Sequence, residues 1–584
     1  MIKYFSLLDN VRVNHGGMTK ACFRRGKALS EEAGINTTIL TFNDEPNSDR
    51  IVNEVRKAPD LGTAEVINFY SSLADPATVK AIERIAGKLD KVESPEYPRQ
   101  PSSAVRSGDA YKVDRRDKDG VERRTYFDSS GRPYLVVDSA KSIRVTLLSR
   151  GFRKRIVFQG AMHQLKHLWL DALVGGQHAM LTFDDNRVAR TFKDYVRPNV
   201  GKVFVQHVNH LEGGRSNNVS DPLRKTYRDV FRASGNFDAI VTLSTRQEEK
   251  LRERLEPSCR VVTIPNVNFP PAMSESDERR APRTGIVVTR HAPEKQLMDT
   301  VKAFSIAHGK RQVDRLVIIG GPQNSDSFAS VCEYVNESGL QDVISFEDHQ
   351  HDAETRFSEG GFSVLSSKYE GFGLVLLEAM SRGTVPVSYD VPYGPRSIIS
   401  DGRDGFLVPR GDVEALASAI GRAASLGTDD PIRAAARTKA RSFEPAPVSQ
   451  RWVELYDSIA KSFPLREQLR GLAPTPREFR LSSNGGFFAV ELQRTRLTGM
   501  RVRLRLEAFE SLAHRDLQPI EEAEEAGRYV FQLHNDAKPQ SDKNPIGLWL
   551  LVEADGVSTR YRLEWPTDWP ELFVSRTPYG NLNI

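Results

Sequence analysis

The chain has 584 residues, 39% of them hydrophobic and 27% charged, with a formal net charge of +5. That length exceeds one core and predicts about three to four domains. Its apolar runs, such as IGLWLLVEA around Leu550, are strand-sized and too short to span a bilayer, and the opening MIKYFSLLDNVRVN turns polar too soon for a signal peptide.

Met1 to Leu8 reads as the first strand. Gly16-Gly17 then open a helix whose apolar residues Ala21, Cys22, Ala28 and Leu29 recur at roughly helical spacing, and Asn36 to Phe42 is the next strand. Strand, glycine turn, helix, strand begins a doubly wound α/β domain, with the turn at the carboxyl edge where ligands bind. From about Leu73 this rhythm falters. Residues 105 to 160 read as a β-meander of three alternating segments separated by Asp-Gly and Ser-Gly turns, so an insertion interrupts the domain. The basic runs Val113 to Arg124 and Ser149 to Arg155 are either solvated faces or a surface for a polyanionic acceptor or anionic lipid. No RNA-binding aromatic motif or helix-turn-helix pattern points to nucleic acid.

The parallel-sheet rhythm returns at Ala179 to Arg187 and at Lys202 to His210, where His207 stands at a strand end and His210 three residues on. No third metal ligand accompanies them. The three cysteines, Cys22, Cys259 and Cys332, match no zinc or redox spacing and read as small buried thiols of a reducing cytoplasm. Pro270 to Thr284, rich in proline and charge, is the linker. A second α/β domain follows. Arg290 comes after its first strand and Lys295 five residues later, just before a helix; two cations there can neutralise a diphosphate leaving group.

The densest signal is Ser366 to Gly383, SSKYEGFGLVLLEAMSRG. A buried strand leads into a turn carrying Glu370 and then Gly371-Phe372-Gly373, and a helix follows with Glu370 at its mouth and Glu378 about two turns further in. A helix N-terminus binds anions and glycines let a phosphate come close, so a carboxylate on each side suggests sugar hydroxyls beside a diphosphate. Asp412 to Leu426 is helical, as is Ser442 to Phe463. The remaining segments, FFAVELQ to TRYRLEW, alternate at period two and predict a β-sandwich, with Trp565, Trp569 and Phe573 as core or as a sugar platform.

The Glu-x7-Glu arrangement, continued by VPVSYDVPYGPRSIISDGRDGFLVPRGD, resembles the retaining family-4 glycosyltransferases of the GT-B fold. The β-rich insertion and HVNH followed by Leu-Glu-Gly-Gly resemble the wall teichoic acid α-glycosyltransferase subgroup and the glycosyltransferases of serine-rich adhesins, and the closing YGNLNI resembles the tails of teichoic acid polymerases and glycosylases. The resemblance implies two Rossmann-like domains: residues 1–269, with the insertion at 75–178, and residues 284–441 for the nucleotide sugar. It further implies a cross-over helix at 442–464, and the alternating segments beyond it make residues 470–584 a β-sandwich-like accessory domain. By resemblance Glu378 holds the ribose, Glu370 and one of His207 and His210 face the transferred sugar, and Arg290 with Lys295 clamp the diphosphate. Gly16 and Gly17 face the donor phosphate or the acceptor, the N–H groups of Gly371 to Leu374 lie against phosphate, and main chain near Glu347 to Gln350 holds the base. The expected donor is UDP-glucose or UDP-N-acetylglucosamine, without a metal or other cofactor. The expected acceptor is an anionic polyol-phosphate polymer. The alternatives are O-glycosylation of serine-rich protein and a catalytically inactive glycan-binding subunit. Peripheral membrane association and homo-oligomerisation extend the same analogy.

Overall fold

The computed structural model describes residues 2–11, 16–44, 48–87, 111–116, 122–128, 130–139, 143–149, 156–211, 223–253, 255, 259–270, 280–321, 326–350 and 352–470, with the strands beyond them. Trp565, Trp569 and Phe573 lie outside the described residues.

The first sheet has seven parallel strands: β1 (Lys3–Leu8), β2 (Thr37–Thr41), β3 (Glu65–Asn68), then, after the insertion, β9 (Ala179–Phe183), β10 (Val200–Gln206), β11 (Ala239–Thr242) and β12 (Val261–Thr263). Their spatial order is β12-β11-β10-β9-β1-β2-β3. Every residue of β9 and β10 is buried, as expected where helices cover both faces of a parallel sheet. The chain reverses its direction of growth between β1 and β9, which pair in register from Lys3 opposite Ala179. A switch point of this kind opens a crevice at the carboxyl ends of the strands. Helix α1 (Gly17–Ala33) follows β1 and ends at Gly34, which holds the left-handed conformation.

The crossover from β3 to β9 carries an antiparallel meander of five strands, not three: β4 (Tyr111–Arg116), β5 (Glu122–Phe127), β6 (Pro133–Ser139), β7 (Ile143–Leu148) and β8 (Ile156–Gly160). The reading of three segments merged strands that alternate too weakly at Arg-rich ends such as Glu122–Arg124 to separate by pattern. Helix α2 (Met162–Val174) returns the chain to the first sheet and buries Trp169.

The second sheet, β15-β14-β13-β16-β17-β18, is also parallel. It comprises β13 (Ala281–Val288), β14 (Arg315–Ile319), β15 (Ile344–Glu347), β16 (Gly360–Leu365), β17 (Val385–Asp390) and β18 (Phe406–Pro409). Here the expected linker is too long, because Ala281 to Thr284 already belong to β13. Helix α3 (Leu297–Gly309) follows β13 and α4 (Leu374–Ser381) follows β16.

The closing helical stretch is divided into α5 (Pro445–Ala460) and α6 (Phe463–Arg470), and it lies on the first sheet. Tyr456 Oη is 2.8 Å from Thr182 Oγ1 on β9, and Arg466 pairs with Asp238. One apolar cluster joins Ala28 and Leu29 of α1, Val203 and Val205 of β10, Phe372, Leu376 and Leu377 of the second unit, and Trp452 and Leu455 of α5. Burying each such aliphatic side chain is worth about 1.5–3 kcal/mol, so the two sheet units share a core rather than a loose contact. Beyond α6 the strands form two further antiparallel sheets, one of four strands from Thr475–Ser482 onward and one centred on Ile546–Ala554.

Candidate active site

The turn after β16 fits its place for two separate reasons. Gly373 has φ +95°, a left-handed conformation that glycine adopts without strain, and it starts α4 with no side chain capping the first turn. Gly371 sits directly against the end of β10: a Cβ there would lie 1.6 Å from the His207 carbonyl oxygen. The glycine turn of the second unit and the histidine strand end of the first therefore touch through backbone.

Glu370 is fixed by its surroundings. Its carboxylate Oε1 accepts from Lys295 Nζ and from Ser367 Oγ, each at 2.6 Å. Its backbone exchanges two hydrogen bonds with the segment after β17, from Glu370 N–H to Pro392 O and from Tyr393 N–H to Glu370 O. Arg290 does not join Lys295. Its guanidinium is 65% exposed and pairs with Glu294, four residues on, at 3.0 Å. The structure thus places one of the two expected clamp cations on Glu370 and leaves the other at the surface.

Glu378 is nearly buried, and its partners come from the other unit. Lys20 Nζ at 3.0 Å and Arg24 Nη1 at 3.2 Å, both on α1, converge on Glu378 Oε1. Burial pushes this carboxyl up, but the two cations outweigh it and hold the group below the usual carboxylate range. Glu354, in the turn Ala353–Glu359, approaches the same two cations at 3.4 Å. Arg24 is further anchored by Asp60 at 3.1 Å. One turn before Lys20, Gly16 and Gly17 are exposed, and a Cβ at either would meet nothing within 4 Å. Crowding within the chain does not require glycine there.

At the carboxyl edge of the first sheet, His207 Nε2 lies 2.8 Å from Asp184 Oδ1, just past β9. A carboxylate can only accept, so Nε2 carries the proton. Asp184 also takes both Nη atoms of Arg25, at 2.7 and 2.6 Å, and Arg25 lies 4.9 Å over the Trp452 ring. Burial alone would raise the Asp184 carboxyl; the Arg25 pair and His207 hold it well below its ordinary value. His210 is different. It is wholly buried and its ring stacks on Tyr393 at 5.6 Å, tying the end of β10 to the loop beside Glu370. Near the expected base position, the Glu347 carbonyl already accepts from Gly320 N–H at 3.0 Å, and its carboxylate is held by Arg356 and Gln350.

Reading the sequence missed Lys20, Arg24, Arg25, Asp184 and Glu354. The Asp184-Asp185 pair at a strand end was the one signal available; the rest are joined to their partners only by the fold. Among the described residues, no three His, Cys, Asp or Glu side chains are arranged to hold a metal ion, and no helix is long and apolar enough to cross a membrane.

Residues 271–443 match the family model of the glycosyl transferases group 1. The chain is 21% identical over 483 residues to a poly(glycerol-phosphate) alpha-glucosyltransferase of Bacillus subtilis, covering 71% of this chain and 69% of that one. It is 20% identical over 512 residues to a poly(ribitol-phosphate) alpha-N-acetylglucosaminyltransferase of Staphylococcus aureus, covering 78% of this chain and all of the relative. The fold is shared with S. aureus TarM, solved with fondaparinux, alpha-GlcNAc-glycerol and UDP, at a TM-score of 0.62 and 17% identity over 78% of this chain and the whole of that one. With two parallel sheets meeting at their carboxyl edges, the chain has the GT-B fold, and its second unit carries the match to the group 1 glycosyl transferases.

Proposed function

We propose that this enzyme transfers a hexose, glucose or N-acetylglucosamine, from its UDP conjugate to a polyol-phosphate polymer of the wall teichoic acid kind, retaining the α configuration. The observation that carries the reading is the meeting of Lys295 and Glu370 beside the glycine turn that abuts His207. The names of the B. subtilis and S. aureus relatives, and UDP in the TarM complex, support the donor and acceptor classes.

In this reading the bond from the sugar C1 to the diphosphate oxygen breaks while the acceptor hydroxyl forms a new bond to C1 on the same face. The hydroxyl proton passes to the departing diphosphate oxygen. Lys295, Arg290 drawn in from the surface, and the uncapped N–H groups of Gly371 to Leu374 take up the charge that develops there. Glu378 receives the ribose hydroxyls and Glu370 those of the sugar. Since His207 Nε2–H is committed to Asp184, Nδ1 is the ring atom left to accept a hydrogen bond from the sugar. The chain divides in this reading into an acceptor unit at 1–269 with its insertion at 75–178, a donor unit at 284–441, a cross-over at 442–464 and an accessory β domain at 470–584. We place it in the cytoplasm, working on polymer at the inner membrane face, and assign self-association to the insertion.

The test is UDP release from a panel of UDP-sugars, each with and without poly(glycerol phosphate). Release that needs one donor and the polymer, and that falls with rising ionic strength, is the expected result. Release that needs a serine-rich peptide instead moves the acceptor to protein. No release with any donor removes the enzyme and leaves a glycan-binding subunit.

A further inference from the structure

Both cations on Glu378 converge on one oxygen, Oε1, and among the described residues Oε2 accepts no hydrogen bond. The two cations are not equivalent. Arg24 is 1% exposed and locked by Asp60, so it stays. Lys20 is 20% exposed, and its other contact, Glu354 at 3.4 Å, is long for a charged hydrogen bond. Two cations on one carboxylate oxygen also repel each other, which makes the more mobile one the easier to displace.

Position adds to this. Glu378 is four residues into α4, so its side chain lies about 6 Å along the axis from the first turn, where the diphosphate is expected. A lysine stem spans a comparable distance. Lys20 is itself one turn from Gly16, whose carbonyl accepts the Lys20 N–H at 3.1 Å. Helix α1, helix α4 and the turn at 353–359 therefore meet around a single exchangeable ammonium.

We propose that Lys20 is a donor-responsive positioning residue that leaves Glu378 for the diphosphate when ribose hydroxyls take the carboxylate. Arg24 keeps Oε1 neutralised and Oε2 takes the ribose. The Lys20 ammonium, now competing with neutral hydroxyls for its old partner, moves to the doubly charged diphosphate. Because Lys20 belongs to α1, this exchange ties the first unit, including Gly16-Gly17, to phosphate bound on the second. The inference rests on the UDP-sugar reading above.

The test compares ligands with and without phosphate on the full chain, using calorimetry for UDP and saturation-transfer NMR for uridine. Lys20→Met is expected to weaken UDP about 10-fold while leaving uridine within about twofold of wild type, because Arg24 still serves Glu378. Lys20→Arg is expected to restore most of the UDP affinity, and an unchanged melting temperature confirms that K20M is folded. Glu378→Gln is expected to weaken both ligands. If K20M binds UDP like wild type, or loses UDP and uridine in equal proportion, Lys20 merely shapes the carboxylate and the inference is overturned. If wild type itself binds neither ligand, it is the donor reading that fails, and the inference goes with it.

Discussion

The two sheet edges that form the site are built in opposite ways. At the first, Asp184, Arg25 and His207 make a buried set in which every charge is matched and no partner is exposed beyond 9%. At the second, Arg290 pairs with Glu294 in water, while the Lys295–Glu370 pair is largely buried. Removing one member of a buried set leaves a stranded charge, whereas a surface pair can trade partners at little cost. The first edge is a fixed frame; the second includes a cation, Arg290, whose exposed pair can change partner at little cost.

The largest effect should therefore come from the frame. Asp184→Ala leaves the Arg25 guanidinium buried without its carboxylate and is expected to cost about 3–5 kcal/mol of stability, measured by urea unfolding. A loss below about 1 kcal/mol would mean that water reaches this site. Its acid limb follows from sign: the folded Asp184 and Glu378 carboxyls both lie below their ordinary values. Their contribution is present in full above the unfolded carboxylate range and is lost as pH falls through the folded values. Asp184→Asn should flatten this loss on the acid side.

Lys295→Ala tests the second edge. With the ammonium gone, Glu370 keeps Ser367 as a partner, and in the proposed reaction the diphosphate loses a cation aimed at its developing charge. The expected result is kcat reduced about 10²- to 10³-fold with donor KM changed far less. A rise confined to KM would recast Lys295 as a ground-state contact.

How much of this could be read from the sequence follows from the same contrast. The second edge was legible because its parts are close in the chain: Arg290 and Lys295 bracket one strand-to-helix junction, and Glu370 to Glu378 share one turn and one helix. The α/β rhythm and the interrupting meander were legible from periodicity. The first edge was not, since Arg25 meets Asp184 across 159 positions and Lys20 meets Glu378 across 358. No spacing rule reports such pairs; only the strand order β10-β9-β1 brings His207, Asp184 and α1 together. The stack of His210 on Tyr393 was hidden likewise, so the two histidines could not be told apart beforehand.

The contact between the edges gives a smaller effect. Gly371→Ala places a methyl group within 1.6 Å of the His207 carbonyl, which is backbone and cannot swing aside. About 1–3 kcal/mol is expected, seen as a lower melting temperature together with weaker UDP binding, because the turn must lift away from β10. Full stability with normal binding would show that the two units already part here.

The smallest effect should be a gain. Glu294 holds the Arg290 guanidinium in solvent at 3.0 Å, and such an exposed pair is worth only about 0.2–1 kcal/mol. If Arg290 must abandon this carboxylate to reach the diphosphate, the pair opposes donor binding by about that much. Glu294→Gln should then tighten UDP by roughly twofold without altering the melting temperature, and low ionic strength should enlarge the difference, since a surface charge is screened by salt. Weaker binding would place Glu294 among the groups that hold Arg290 ready rather than among its competitors, and no change at any salt concentration would put Arg290 outside the diphosphate site.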